Sequence, residues 1–387
     1  MPTLSFGKPM ADRESEVVAK IASGVSGLNA HAWDRLGDGD PFIGHAFLSA
    51  LEESGSVGPG TGWTPAPILI EEDDRLVAAA PAFLKSHSQG EYVFDHGWAD
   101  AWERAVGEYY PKLQVAVPFT PVPGPRLLGS RPQQLLAAIE AVTVQNGMSS
   151  AHITFIDDAG ARECERRKWL IRHGVQYHWF HRGYSTFDGF LDSLTSRKRK
   201  SLRRERAAAL DGLDIRILRG TEIEPGDWDA MWAFYQDTGS RKWGRPYLTR
   251  EFFDLVGERM GDKVLLFLAC RDERPIAGAL NFIGGETLYG RYWGCSEEVP
   301  FLHFELCYYQ AIEWAIDHGL ECVQAGAQGE HKVARGYEPV ITRSAHFIPN
   351  RSFRDAVAQF LEAEREGVSA EIEWLGRELP YRSSSSE

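Results

Sequence analysis

Cysteine is scarce in this chain of 387 residues: there are five, Cys164, Cys270, Cys295, Cys307 and Cys322, odd in number and never spaced C-x-x-C. That argues against a disulfide framework and fits reduced thiols in a cytoplasm. No uninterrupted apolar run approaches the roughly 18–20 residues a membrane span needs. Asp12, Arg13, Glu14 and Glu16 occupy the stretch where a signal peptide would be apolar. The expected localisation is cytoplasmic. Positive charge is in deficit too: 42 Lys+Arg against 55 Asp+Glu give a net charge of −13, which disfavours a mainly electrostatic nucleic-acid binder. The chain has no G-x-S-x-G motif of a serine hydrolase, and GPGTG (58–62) lacks the lysine and spacing of a P-loop. His303 and Cys307 stand four apart on one predicted helix but have no second ligand pair, so no metal is expected. With 43% hydrophobic and 25% charged residues, what is present is an ordinary globular composition, and the length suggests two compact domains.

Those domains read as two copies of one unit. Alternation predicts strands at 16–26 and 213–219, each followed by a helix near a Trp-Asp pair (Trp33-Asp34, Trp228-Asp229) and then by a second helix. Asp40-Pro41 and Thr249 are the expected starts of those second helices. A hairpin at 66–85 matches one at 264–283. Next come the strand–loop–helix–strand series LQVAVPF…AHITFI (113–156) and TLYGRYWG…CVQAGAQG (287–329). Each half closes with a short helix, a glycine and a further strand. The first half holds an extra segment at about 87–110. A charged helix at about 187–210 leads into the second half, and a helix at about 351–378 ends in a Ser-rich tail with the composition of disorder. Expected boundaries are 1–182, 183–350 and 351–387.

This duplicated unit resembles the GNAT acyl-CoA N-acyltransferase fold, with Gly336-Tyr337-Glu338-Pro339 similar to its Gly-aromatic turn. Tandem GNAT units also characterise the Fem-type peptidoglycan aminoacyl transferases. At finer grain the chain resembles a bacterial FemAB-like family of predicted N-acyltransferases, or peptidoglycan biosynthesis/recognition proteins. The stretches carrying that likeness are 94–102, 109–128, 288–295, 302–310 and 326–339, within a match over roughly 16–350. The fold class implied is α/β with mixed sheets, tandem GNAT-like units and a C-terminal helix.

Several constellations carry chemistry against this background. In GNAT folds the loop TPVPGPRLLGSRP (120–132) would meet a CoA pyrophosphate at a helix N-terminus, with Gly124, Arg126 and Arg131 as the cofactor-binding candidates. Pro121, Pro123 and Pro125 remove N–H donors from it, and a rigid connection is the plainer reading. In the second half the same place holds Glu297 and Glu298, which would repel phosphate. On the helix 302–319, Phe301, Leu302, Tyr308, Tyr309, Ile312 and Ile316 fall within about 60° of Glu305 at helical spacing. A carboxylate centred on an apolar stripe is either a general base raised by burial or a structural group bonded to backbone or to Arg291. His331 is the reserve base, and Tyr308 or Tyr292 would stand near the leaving group.

Substrate-binding candidates are Arg291 and Trp293, which alternation puts on one face, with His303, Gln328, Glu330, Lys332 and Arg335 around the end of a central strand, and Asp95 and Trp98 in the first half. A solvated loop is the alternative for 326–332. The run SRKRKSLRRER (196–206) carries Arg197, Lys198, Arg199, Lys200, Arg203, Arg204 and Arg206. It reads as a solvated helix face or, by analogy with the Fem-type enzymes, as a seat for an anionic partner.

The function expected is N-acyl transfer to a small-molecule or peptide amine, with acyl-CoA as the favoured co-substrate and no metal. The alternatives are a Fem-type aminoacyl-tRNA-dependent transferase and a non-catalytic binder of cell-wall fragments.

Overall fold

The computed structural model describes residues 16–243, 246–326 and 329–382. Gln328, the acidic N-terminal residues Asp12 to Glu14 and the end of the Ser-rich tail lie outside them. The first half contributes strands β1 (Val17–Ile21), β2 (Trp63–Pro65), β3 (Ile68–Glu72), β4 (Arg75–Ala80), β5 (Ala82–Lys85), β6 (Lys112–Val115), β7 (Leu128–Gly129), β8 (Ala151–Ile156) and β9 (Leu170–Phe180). The second contributes β10 (Asp214–Arg219), β11 (Val264–Arg271), β12 (Arg274–Gly284), β13 (Thr287–Cys295), β14 (Cys322–Gln324) and β15 (Glu338–Phe347). Both hairpins turn where expected, through Asp73-Asp74 and Asp272-Glu273, all with positive φ. Acidic residues tolerate the left-handed region there because they are short and polar.

The two halves repeat one strand order. In the second it runs β10-β11-β12-β13-β14. In the first it is β1-β3-β4, then β5-β6-β8, with β4 and β5 two pieces of one strand broken at Pro81. This is the duplicated GNAT-like unit. The last strands are exchanged: β9 pairs with β14 through Trp179↔Val323, and β15 pairs with β8 through His346↔His152. β9 and β15 also pair with each other over Leu170–His178. An eleven-stranded sheet therefore crosses both halves. Their helical layers share one core, in which Phe42 and Phe47 of the first half meet Phe282 and Phe252 of the second at ring-centre distances of 5.2 and 5.6 Å.

Local differences from the sequence expectations have identifiable causes. The helix of the first half begins at His45, capped by Asp34 Oδ1 at 2.7 Å from its N–H, whereas Asp40 instead bonds Phe42 N. Thr249 does cap its helix, at Phe252 N. The charged helix expected over 187–210 is two helices, Phe187–Ser193 and Ser196–Ala209, because Leu194 turns extended and makes a bridge with Tyr381. The C-terminal helix runs Arg351–Arg377, and among the described residues no helix is long and apolar enough to cross a membrane.

Candidate functional site

β13 and β14 are parallel neighbours only over Thr287–Tyr289 and Cys322–Gln324, beyond which they separate. At the point of separation a Cβ on Gly290 would stand at ordinary contact distance, 3.5 Å from Gln324 O and 3.7 Å from Ala325 Cα. A bulge opposite Leu280/Asn281 leaves Arg291 without a partner residue in the ladder. Strict alternation therefore fails: Tyr292 joins the inter-half core, Trp293 packs on the other side, and Arg291 donates to Phe119 O of the first half at 2.8 Å.

The helix expected over 302–319 is not continuous. Phe301 is left-handed (φ 65), Leu302–Phe304 is α, Glu305–Tyr309 is one π-turn, and Gln310–Asp317 is α again. A π-turn adds a residue to the helical register, and such turns concentrate at functional sites. This one sends Glu305 and Tyr309 toward the basic helix Ser196–Ala209 and Tyr308 toward the loop after β14. Glu305 is fully buried, and its oxygens accept from Arg206 Nε (3.1 and 3.2 Å), Arg206 Nη2 (2.8 Å) and Gln310 Nε2 (2.7 Å). Its charge partner is Arg206, not Arg291.

Tyr308 bonds His331 Nε2 at 2.9 Å. Burial pushes the Tyr308 phenol well above its ordinary value, so it stays protonated at neutral pH. The loop carrying His331 is shaped by two left-handed glycines. A Cβ on Gly329 (φ +115) would lie 2.4 Å from His331 Cε1, and one on Gly336 (φ +90) 2.9 Å from Phe190. Between them Glu330 and His331 are exposed, while Lys332 is buried with its Nζ on Gly326 O at 2.9 Å. Burial holds the Lys332 ammonium down at about 7. Arg335 is 7% exposed and turned inward, so it faces protein groups and not the groove where the sequence reading put it.

Two grooves flank this pair, one lined by His331 itself and the other ending at His303, whose ring packs on Tyr308 and His331. One, of about 560 Å³, is lined by Trp293, Cys295, Glu297, Glu298 and His303. The other, of about 710 Å³, runs over β9 and β15 beneath the C-terminal helix and is lined by Tyr92, Arg172, Tyr177, Glu330, His331 and Glu371, among others. Aromatic rings connect them: Trp293 to His303 (5.2 Å between centres), His303 to Tyr308 (5.4 Å) and His303 to His331 (6.4 Å). Trp293, His303, Tyr308, Glu330 and His331 are thus brought together. Arg291 and Tyr292 stand at the seam between the halves.

The first-half candidates go elsewhere. Gly124 bridges to Ile156 and fills the gap between β6 and β8. Arg126 is buried and donates to Val122 O and Pro125 O, with Asp40 beside it. Arg131 pairs with Glu72 at 2.6 Å. Gly124 N–H, both terminal nitrogens of Arg126 and Arg131 Nη2 thus meet protein acceptors, while the buried Arg126 Nε has no hydrogen-bond partner among the described residues. Asp95 belongs to a buried network that the sequence reading missed: Lys112 Nζ donates to Asp95 (2.5 Å), Glu91 (2.9 Å) and Ser88 (2.7 Å), and Tyr109 to Asp95 (2.8 Å). His152 Nδ1 meets His346 Nδ1 at 2.6 Å across the exchanged strand, and Trp98 packs edge-on against His346. Burial raises Glu91 to about 7 and lowers Lys85 to about 7 and His152 to about 3. Burial alone would raise Asp95, but Lys112 and His152 outweigh it and hold that carboxyl low. The available signal was a lysine set into each of two apolar strands, Lys85 and Lys112.

Solved structures share this architecture. FemX is 11% identical with a TM-score of 0.52, over 86% of this chain and 98% of that one. L-PGS from Bacillus licheniformis is 11% identical at 0.51, over 86% and 96%. A conserved protein of unknown function from Bacteroides thetaiotaomicron VPI-5482 is 8% identical at 0.50, over 86% and 99%. At such identities the likeness is one of fold. No curated protein matches the chain. Residues 24–383, nearly all that the two units and the C-terminal helix comprise, match the FemAB-like family of peptidoglycan biosynthesis/recognition, and the chain belongs to that family.

Proposed function

We propose that the protein transfers an acyl or aminoacyl group from an activated carrier to a primary amine of a peptidoglycan precursor. The observation that carries this reading is the Tyr308–His331 contact, set between a groove that His331 lines and a second groove that ends at His303, whose ring packs against both residues. In this reaction the C–N bond forms as the carrier's C–O or C–S bond breaks. His331 takes the proton from the attacking amine, Tyr308 gives one to the departing oxygen or sulfur, and the 2.9 Å contact returns the proton from ring to phenol. Glu330, exposed beside His331, suits an incoming ammonium. Glu305, already committed to Arg206 and Gln310, is assigned a structural part.

For the carrier we favour aminoacyl-tRNA. The basic helix leaves Arg197, Lys200 and Arg204 exposed behind the site, while Arg126 and Arg131 of the first half bond protein acceptors and the groove beside Trp293 carries Glu297 and Glu298. Acyl-CoA is the second reading, supported by the net charge of −13. Thermal shift with acetyl-CoA, longer acyl-CoAs and total tRNA separates the two. With the stabilising donor and a muropeptide amine, His331→Gln and Tyr308→Phe are each expected to lower kcat/KM by roughly 10²–10⁴-fold. Stabilisation by muropeptides alone, with no donor bound, would make the protein a binding module and sink the transferase reading.

A further inference from the structure

Arg335 uses every face of its guanidinium inside the protein. Its Nε donates to Tyr309 OH at 3.0 Å, its Nη1 to the carbonyl of His331 at 2.8 Å, and its Nη2 to Glu205 at 2.8 Å, while its Cζ lies 3.5 Å from the centre of the Phe304 ring. Glu205 in turn accepts from Tyr309 OH. It stands on the basic helix next to Arg206, whose side chain pairs with Glu305 and Glu313. Two consecutive residues of one helix thus hold both ends of the π-turn and, through Arg335, the backbone of His331. A fork with three fixed donors suits this task in a way that a lysine's point charge does not. Were Arg335 a substrate ligand, some of its donors would be turned to the groove, whereas these three bonds all stay within the protein.

We infer that Glu205 and Arg335 are positioning residues that set His331 against Tyr308, so that the basic helix is a strut of the reaction centre. This rests on the reading above that His331 and Tyr308 move the proton. The test reads His331 directly, with its ring resonance in the full chain identified by its loss in His331→Gln. In Glu205→Gln the Arg335 cation loses its counter-charge beside His331, which disfavours the imidazolium, so the His331 titration midpoint should fall by about half a pH unit or more. Glu205→Asp keeps the charge and should restore the midpoint. Arg335→Lys keeps the positive charge but not the fork, and should broaden or move the signal. His303, Tyr308, Glu330, Lys332, Tyr177 and Glu371, which surround His331 or line its groove, are unaltered in all of these variants. A merely structural role for the pair would leave the midpoint of every folded variant in place.

With a donor in hand, Glu205→Gln should lower kcat about tenfold with little change in the acceptor KM. If Glu205→Gln fails to fold by circular dichroism, the Arg335→Lys and Glu205→Asp spectra decide. Wild-type midpoint and line width in folded Glu205→Gln and Arg335→Lys would overturn the inference. Transfer that survives His331→Gln while the resonance still responds to Glu205→Gln would overturn the proposed reaction and keep the clamp.

Discussion

A carboxylate without solvent must find its hydrogen bonds inside the protein or give up its charge, and Glu305 shows the first solution. Its apolar helical surroundings were legible from spacing. Its partner was not, because Arg206 lies 99 positions away on a helix whose run of basic residues reads as solvated. Breaking a buried pair from one side is costly, so Glu305→Gln should destabilise the fold by about 3 kcal/mol in urea unfolding, and wild-type stability would contradict the assignment. Lys332 and Lys85 give a second residue-scale expectation. Both are held down at about 7 by burial, whereas in the unfolded chain lysine titrates near 10.4. From about pH 7 to 8 the unfolded state binds lysine protons that the native state does not, so stability should rise with pH there. Above that the buried thiols of Cys164, Cys270 and Cys322, raised by burial, work in the opposite direction. Lys332→Met should remove about half of this slope, measured as urea midpoints at a series of pH values. An unchanged slope would show that Lys332 is charged in the native state.

At the scale of elements, periodicity recovered most of what is there. The hairpins, the strands at β10 and β13, the short turn of helix before Gly336 and the long C-terminal helix fall within a few residues of where alternation and helical spacing put them. What it could not recover are single-residue departures from a regular period. The π-turn at Glu305–Tyr309 and the bulge at Arg291 each insert one residue, and each redirects the side chains that follow. Composition is the same with or without the insertion, so no pattern count reveals it. The strand exchange is equally silent, because β9 and β15 have the same alternation whichever neighbour they pair with. The site helix also starts at a cost. Phe301 is left-handed and 41% exposed, a conformation that bulky side chains resist. Phe301→Asn should therefore raise stability by about 0.5–1 kcal/mol, since asparagine tolerates that conformation and is a favoured residue before a helix. Destabilisation of similar size would show that the ring's contact with Phe304, at 6.3 Å between centres, outweighs the backbone term.

For the whole molecule the question is whether a repeat in sequence is a domain in energy. Each unit has its own strand order, yet its fifth strand is covered by the other unit's last strand: β8 by β15, β14 by β9. The shared core places Phe42 and Phe47 against Phe282 and Phe252, and the first half's buried network includes His346, which arrives on β15. Separation at 182/183 would uncover two sheet edges and large aromatic side chains on both pieces, and unpaired edges with apolar faces drive aggregation. It would also leave His152 without His346 in a network where unpartnered buried polar groups are costly. Fragments 1–182 and 183–387 expressed alone should accordingly be insoluble or lack cooperative unfolding, whereas their co-expression should give a complex with two-chain stoichiometry and a single thermal transition. Two soluble monomers that each melt cooperatively would mean that the exchanged strands are dispensable. The same experiment bears on the reaction centre, since His331 and Tyr308 lie in the second fragment while Tyr92 and Arg172, across the groove, lie in the first. Transfer activity should return only with the reassembled pair.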